Sequence, residues 1–294
     1  MPFTTLIDAA SLAALPGPAV LLDCRFDLSD PRAGRRAYAA GHIPGARYAD
    51  LNLDLSSPPT SASGRHPLPS PEALAAFFAA AGIGDETQVI AYDDANGSYA
   101  ARAWWLLKWL GHIPVAVLDG GFKAWVAAGG AAAGAPAAGA PVEAGEPPPR
   151  APGAAPRFTV RLRPQTVLTT ADVLRGLADP RRLLVDARAA ERFAGTVEPV
   201  DPVPGHVPGA VNHPFAANLR PDGRFLPEAE LRRRWLAVLG GRESKDAVLM
   251  CGSGVTACHN ILAMTVAGLP DGKLYAGSWS EWIRDPERPV ARGP

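Results

Sequence analysis

An internal repeat is the feature that most constrains the fold of this 294-residue chain. Four short segments of the first half recur in the second half, in the same order and at nearly the same spacing. The pairs are VLLDCR (20–25) with LLVDAR (183–188), GHIPGA (41–46) with GHVPGA (205–210), VIAYD (89–93) with AVLMC (247–251), and LDGGFKAW (118–125) with LYAGSWSEW (274–282). Self-similarity of this kind indicates a duplicated domain.

Each copy alternates short apolar runs with longer helical patterns. The predicted strands include VLLD and VIAY in the first copy and LLVDA and AVLM in the second, and helical segments such as PEALAAFFAAAG lie between them. Continuous apolar strands separated by helices predict an α/β fold, a doubly wound and mostly parallel sheet with helices on both faces, in each copy. We expect domains over 1–130 and 158–294, joined by an Ala/Gly/Pro-rich linker over 131–157.

Composition excludes several classes of function. Lys plus Arg and Asp plus Glu both number 29, so no net charge favours nucleic acid as a partner. The N-terminus has no basic region before an apolar core, and no apolar run approaches the roughly 20 residues that span a bilayer, so we expect a cytoplasmic protein with no membrane partner. The three cysteines form neither a disulfide framework nor a CxxC zinc pair.

The segment CGSGVTA at 251–257 marks the candidate reactive site. Cys251 ends a predicted strand and is followed by small residues that lead into a helix. Reactive loops of doubly wound sheets lie at the carboxyl ends of strands, and helix N-terminal amides favour a thiolate over a thiol. The alternative is a small buried hydrophobe, which is our expectation for Cys24 and Cys258. The first copy has Tyr92 and Asp93 at the corresponding place.

These motifs together make the chain resemble the tandem-domain rhodanese-like sulfurtransferases over nearly its whole length. CGSGVTA is similar to the loop of the 3-mercaptopyruvate enzymes, whereas thiosulfate enzymes usually place charged residues after the cysteine. The resemblance implies that Cys251 takes sulfur from a small anionic donor as a persulfide. A thiol, carried by a thioredoxin-like protein or a small molecule, or cyanide then accepts it. It implies no metal and no organic cofactor.

The resemblance also implies roles for individual residues. Arg192 matches the arginine that binds the donor's anion; the alternative is a solvated helix charge. Asp54 and His66 match residues that, with Ser253, are proposed to relay a proton in mercaptopyruvate enzymes; the alternative for His66 is an ordinary loop histidine. The remaining loop residues expected to bind the donor are Gly252, Gly254, Val255 and Thr256.

One departure from the family pattern leaves the donor open. Mercaptopyruvate enzymes typically carry a second donor-binding arginine shortly before the GHxPG turn, but the stretch TVEPVDPVPGH at 196–206 has none. The neutral loop favours 3-mercaptopyruvate, the missing arginine argues against it, and thiosulfate stays open as the donor. Two other functions are weighed: a non-enzymatic interaction module, which would usually lack the cysteine, and a phosphatase, which would need an arginine where Ala257 stands.

Overall fold

The computed structural model describes residues 1–131, 156–270 and 272–293. Contacts divide the chain into two compact units. The first comprises Met1–Ser56, Asp222–Arg224 and the described residues of Pro69–Arg163, and the second comprises Ser57–Leu68, Pro164–Pro221 and the described residues of Phe225–Pro294. Most of the predicted linker, residues 132–155, lies outside the described residues, so the predicted domain boundaries stay a prediction.

The first unit is built on a five-stranded parallel sheet. Its strands are β1 (Leu6–Ile7), β2 (Ala19–Asp23), β3 (Arg47–Tyr48), β4 (Gln88–Tyr92) and β5 (Val115–Leu118). Its helices are α1 (Ala9–Ala13), α2 (Ala33–Ala40), α3 (Pro71–Ala80), α4 (Ala100–Trp109) and α5 (Gly121–Ala131). The strands lie in the order β1-β5-β4-β2-β3.

The second unit repeats this plan. Its strands are β6 (Val167–Leu168), β7 (Leu183–Asp186), β8 (Val211–Asn212), β9 (Ala247–Met250) and β10 (Lys273–Tyr275). Its helices are α6 (Thr170–Arg175), α7 (Ala190–Ala194), α8 (Glu228–Leu239), α9 (Thr256–Val266) and α10 (Ser278–Trp282). The parallel order β6-β10-β9-β7-β8 matches that of the first unit strand for strand, which confirms the predicted fold class and the duplication.

Burial along the central strands explains why both faces of each sheet are covered. Residues 89–92 of β4 and residues 247–250 of β9 are all buried. Because successive side chains of a strand point to opposite faces, such strands are stable only between two layers of helices. Helix α4 is buried along nearly its whole length for the same reason. None of the described helices is long and apolar enough to cross a bilayer.

The register of the strands places Asp93 and Cys251 at equivalent positions. Tyr92 pairs with Asp23 in the first sheet, and Met250 pairs with Asp186 in the second. The carbonyl oxygen that follows each strand accepts a matching hydrogen bond, from Phe122 N to Asp93 O at 2.8 Å and from Trp279 N to Cys251 O at 3.0 Å. The two loops therefore begin from the same point of the fold.

In the first unit, a carboxylate occupies this loop. Asp93 is fully buried, and its Oδ1 accepts hydrogen bonds from the amides of Ala95 and Gly97 at 2.8 and 2.9 Å. Its Oδ2 accepts from the amides of Tyr99 and Ala100, both at 2.8 Å. Four backbone donors around one carboxylate show that a loop at this place can be shaped to hold an anion.

We expect Asp93→Asn to destabilise the protein by about 3 kcal/mol, since the amide nitrogen would face two buried backbone donors. The free energy of unfolding, measured by urea denaturation, checks this. Asp94→Asn is the matched control because Asp94 is exposed, and it should change the same quantity by less than about 0.5 kcal/mol. Equal losses in both variants would contradict the anion-holding role of the loop.

Candidate active site

The cysteine loop connects β9 to α9 in the second unit. Cys251 is buried, with 2% of its surface exposed, and its Sγ accepts a hydrogen bond from the amide of Gly254 at 3.1 Å. Gly254 has φ 77°, and a side chain there would clash with the carbonyl oxygen of Ala276, so the position requires glycine. Val255 is buried and Thr256 begins α9. The sulfur therefore lies in a loop shaped around it.

Helix α10 holds this loop from the other side. The amides of Trp279 and Ser280 donate to the carbonyl oxygens of Cys251 and Gly252, at 3.0 and 2.8 Å. The Oγ of Ser278 accepts from the amide of Cys251 at 3.1 Å and donates to the carbonyl of Tyr275 at 2.8 Å. These bonds leave the Cys251 backbone little freedom.

Ser278 holds this position at a conformational cost. Its φ is 54°, in the left-handed region that disfavours residues with a side chain. The equivalent residue of the first repeat is Gly121, with φ 61°. The duplicated turn thus needs a left-handed residue, and the second copy uses a serine whose hydroxyl accepts a hydrogen bond from the backbone amide of Cys251. Comparison of GGFKAW with GSWSEW could have identified Ser278 from the sequence.

The segment Ser57–Leu68, which belongs to the second unit, places His66 beside the loop. His66 Nδ1 lies 2.7 Å from Ser253 Oγ, and both residues are buried. The structure thus brings together two of the three residues of the predicted relay. Asp54 belongs to the first unit, where its Oδ2 accepts from the amide of Asp50 at 2.8 Å and burial raises its pKa. The participation of Asp54 stays a prediction.

Arg192 lies against Gly252 within a cluster of ion pairs. Its Nε and Nη2 donate to Glu198 Oε1 at 3.0 and 2.7 Å, and Nη2 also donates to Asp201 Oδ2 at 3.1 Å. A methyl group on Gly252 would lie 3.8 Å from both Nη1 and Nη2 of Arg192. Burial would raise the pKa of Glu198, but hydrogen bonds from Arg192 and from two backbone amides lower it. Arg192 is not a solvated helix charge.

A second arginine, Arg65, contacts the same loop, and the sequence analysis missed it. Its Nη1 forms an ion pair with Asp201, and a methyl group on Gly252 would lie 2.8 Å from its Nη2. Burial raises the pKa of Asp201, which the neighbouring Arg65 counteracts. The sequence indicated its place near the loop only through His66, which Arg65 directly precedes.

Comparison with known proteins places the chain in a family. The profile of the Rhodanese-like domain matches residues 8–128 and 169–285. The chain therefore belongs to the rhodanese-like family and carries two copies of its domain, as the motifs predicted.

Its relatives match it over nearly its whole length. A Pseudomonas aeruginosa protein named "Probable 3-mercaptopyruvate sulfurtransferase" is 50% identical over 292 residues, covering 98% of both chains. A Mycobacterium tuberculosis protein, SseB, provisionally named a thiosulfate sulfurtransferase, is 40% identical over 291 residues, covering 98% of this chain and 97% of that one. The solved 3-mercaptopyruvate sulfurtransferase from Leishmania major superposes with a TM-score of 0.81 at 34% identity, covering 95% of this chain and 74% of that chain.

We expect Ser278→Ala to lower the free energy of unfolding by roughly 1–3 kcal/mol, because the buried amide of Cys251 loses its acceptor. Ser278→Gly loses the same hydrogen bond but removes the left-handed strain, so it should be more stable than Ser278→Ala by about 1 kcal/mol. Urea denaturation of both variants gives the comparison. An alanine variant as stable as the glycine variant would show that φ at this position carries no cost.

Proposed function

We propose that this protein is a sulfurtransferase in which Cys251 carries the sulfur as a persulfide. The observation that carries the proposal is the position of Cys251 Sγ. This sulfur accepts a hydrogen bond from the amide of Gly254, in a loop flanked by Arg65 and Arg192. A backbone donor on sulfur favours the thiolate, which is the nucleophilic form. The names of the similar proteins support the same reaction.

In the first half-reaction, the thiolate of Cys251 attacks the sulfur of the donor. With 3-mercaptopyruvate, the C–S bond breaks, its electron pair stays on carbon as the enolate of pyruvate, and a proton completes pyruvate. With thiosulfate, the S–S bond breaks and sulfite leaves. In both cases the new S–S bond leaves a Cys251 persulfide, and the loop formed by Gly252, Ser253 and Gly254 surrounds it.

In the second half-reaction, an acceptor thiolate attacks the outer sulfur of the persulfide. The S–S bond breaks, its electron pair returns to Cys251 as the thiolate, and the acceptor leaves as a persulfide; cyanide would leave as thiocyanate. A thioredoxin-like protein or a low-molecular-weight thiol is the acceptor class that fits a reducing cytoplasm. Initial rates with both donors, each paired with a dithiol and with cyanide, test the donor and acceptor classes together.

The hydroxyl of Ser253 donates the proton that converts the departing enolate to pyruvate. This hydroxyl lies beside His66 Nδ1 at 2.7 Å, so the imidazole can restore a proton that the hydroxyl gives up. In the full relay, Asp54 would complete the chain of groups. Thiosulfate requires no proton on its leaving group, because sulfite departs as an anion. The relay therefore serves one donor and not the other.

Incubation with donor should add one sulfur atom to the wild-type protein and none to Cys251→Ser, as measured by intact-protein mass spectrometry. Cys258→Ser is the matched control, because Cys258 is fully buried on α9 and donates to the carbonyl of Gly254 at 3.3 Å. That variant should gain the same sulfur as the wild type. A persulfide found on Cys24 or Cys258 would disprove the assignment.

Ser253→Ala and His66→Ala should lower kcat/KM for 3-mercaptopyruvate by roughly 100-fold or more, and for thiosulfate by less than about tenfold. The reason is that only the first donor needs proton transfer to carbon. Ser57→Ala is the control on the same segment, since the Ser57 hydroxyl donates to the carbonyl of Leu68, at 3.2 Å, and not to His66 or Ser253. Equal losses with both donors would mean that Ser253 and His66 shape the loop and relay no proton.

A further inference from the structure

The two arginines beside the cysteine loop differ in which edge of the guanidinium is occupied. A guanidinium binds the two oxygens of a carboxylate best through the edge formed by Nε and Nη2. Arg192 uses this edge to hold Glu198. Arg65 instead holds Asp201 through Nη1. Its Nε is buried and has no hydrogen-bond acceptor within residues 1–131, 156–270 and 272–293.

The Nε–Nη2 edge of Arg65 lies next to Gly252, the residue that follows Cys251. A methyl group on Gly252 would lie 2.8 Å from the Nη2 of Arg65, so the guanidinium packs closely against this glycine and would have to shift if the residue were larger. The backbone amide of Arg65 donates to Ser280 Oγ at 3.1 Å, and the amide of Gly64 donates to Glu281 Oε2 at 3.4 Å. Helix α10 therefore anchors both the backbone of the segment that carries Arg65 and the cysteine loop.

We propose that Arg65 binds the anionic group of the sulfur donor through its Nε–Nη2 edge and supplies the second positive charge that the stretch 196–206 lacks. The inference rests on the proposed function and names the part of the site that selects the donor. The ligand chemistry is a small anion with two oxygens on one centre, as in a carboxylate or a sulfonate. Glu198 and Asp201, which lie in that stretch, instead orient Arg192 and Arg65.

A purely structural role explains less of the geometry. An arginine that served only to neutralise Asp201 would gain most by binding it through the Nε–Nη2 edge, as Arg192 binds Glu198. A buried N–H without an acceptor is destabilising, and a bound ligand that accepts its hydrogen bond is one way to remove that cost. Binding an anion would satisfy the Nε of Arg65 and leave its ion pair with Asp201 in place.

Two alkylating reagents of similar size test the charge preference directly. Iodoacetate carries a carboxylate and iodoacetamide does not, and both modify the thiolate of Cys251. The ratio of their rate constants cancels any change in the reactivity of the thiolate itself. We expect Arg65→Gln to lower the iodoacetate-to-iodoacetamide ratio by roughly 10- to 100-fold. Peptide mass spectrometry follows the modification of Cys251.

Three further variants separate charge from structure. Arg284→Gln removes an arginine that anchors the same segment through the carbonyl of Ser63, at 3.2 Å, and should leave the ratio unchanged. Arg65→Lys keeps the charge without the planar edge and should restore part of the ratio. The double variant Arg65→Gln/Asp201→Asn removes the carboxylate that Arg65→Gln leaves unpaired, and it should keep the low ratio. An unchanged ratio in Arg65→Gln, or the same fall in Arg284→Gln, would overturn the proposal.

Steady-state kinetics then identify which anion uses the site. Arg65→Gln should raise KM by roughly tenfold or more, with little change in kcat, for the donor whose anion binds Arg65. That donor is 3-mercaptopyruvate if the site binds a carboxylate, and thiosulfate if it binds a sulfonate. An unchanged KM for both donors would overturn the proposal. A wild-type protein that transfers no sulfur would refute the proposed function, while the alkylation ratio would still report on Arg65.

Discussion

Two backbone hydrogen bonds, from Trp279 N to Cys251 O and from Ser280 N to Gly252 O, join helix α10 to the cysteine loop. The same helix receives the segment that carries Arg65, through the Oγ of Ser280. A helix of one turn thereby holds Cys251, the neighbouring pair Ser253 and His66, and Arg65 against one another. The arrangement therefore depends on the course of the backbone at Cys251 and Gly252 and on the hydroxyl of Ser280 at Arg65.

Charge around the loop is balanced before any ligand arrives. Glu198 pairs with Arg192, and Asp201 pairs with both Arg192 and Arg65, so each of these two arginines has a carboxylate partner. Buried charges of one sign would be strongly destabilising, and the carboxylates remove that cost while fixing the guanidinium planes. The same pairing leaves N–H groups of Arg65 and Arg192 near the loop. Stability and anion binding are thus satisfied by different edges of the same side chains.

The sequence predicted the parts of this structure that leave a local or repeated signal. The duplication, the central strands and the strand-end cysteine followed from apolar runs and repeated motifs, and the family pattern pointed to His66 beside Ser253. The outer strands β1, β3, β6 and β8 contain only two residues each, too few for any periodicity. Arg65 was missed because its role depends on a contact with a loop nearly two hundred residues away, made through a segment without regular secondary structure.

The loop of the first unit that holds the Asp93 carboxylate determines how many sulfur atoms one chain can carry. The carboxylate of Asp93 accepts the hydrogen bonds of that loop and carries no sulfur, so the proposed reactive centre at Cys251 has no counterpart there. A polypeptide with one such centre can be loaded with one sulfur at a time. Donor and acceptor must then react in turn at the same site. The product formed from the donor must leave before the acceptor can react.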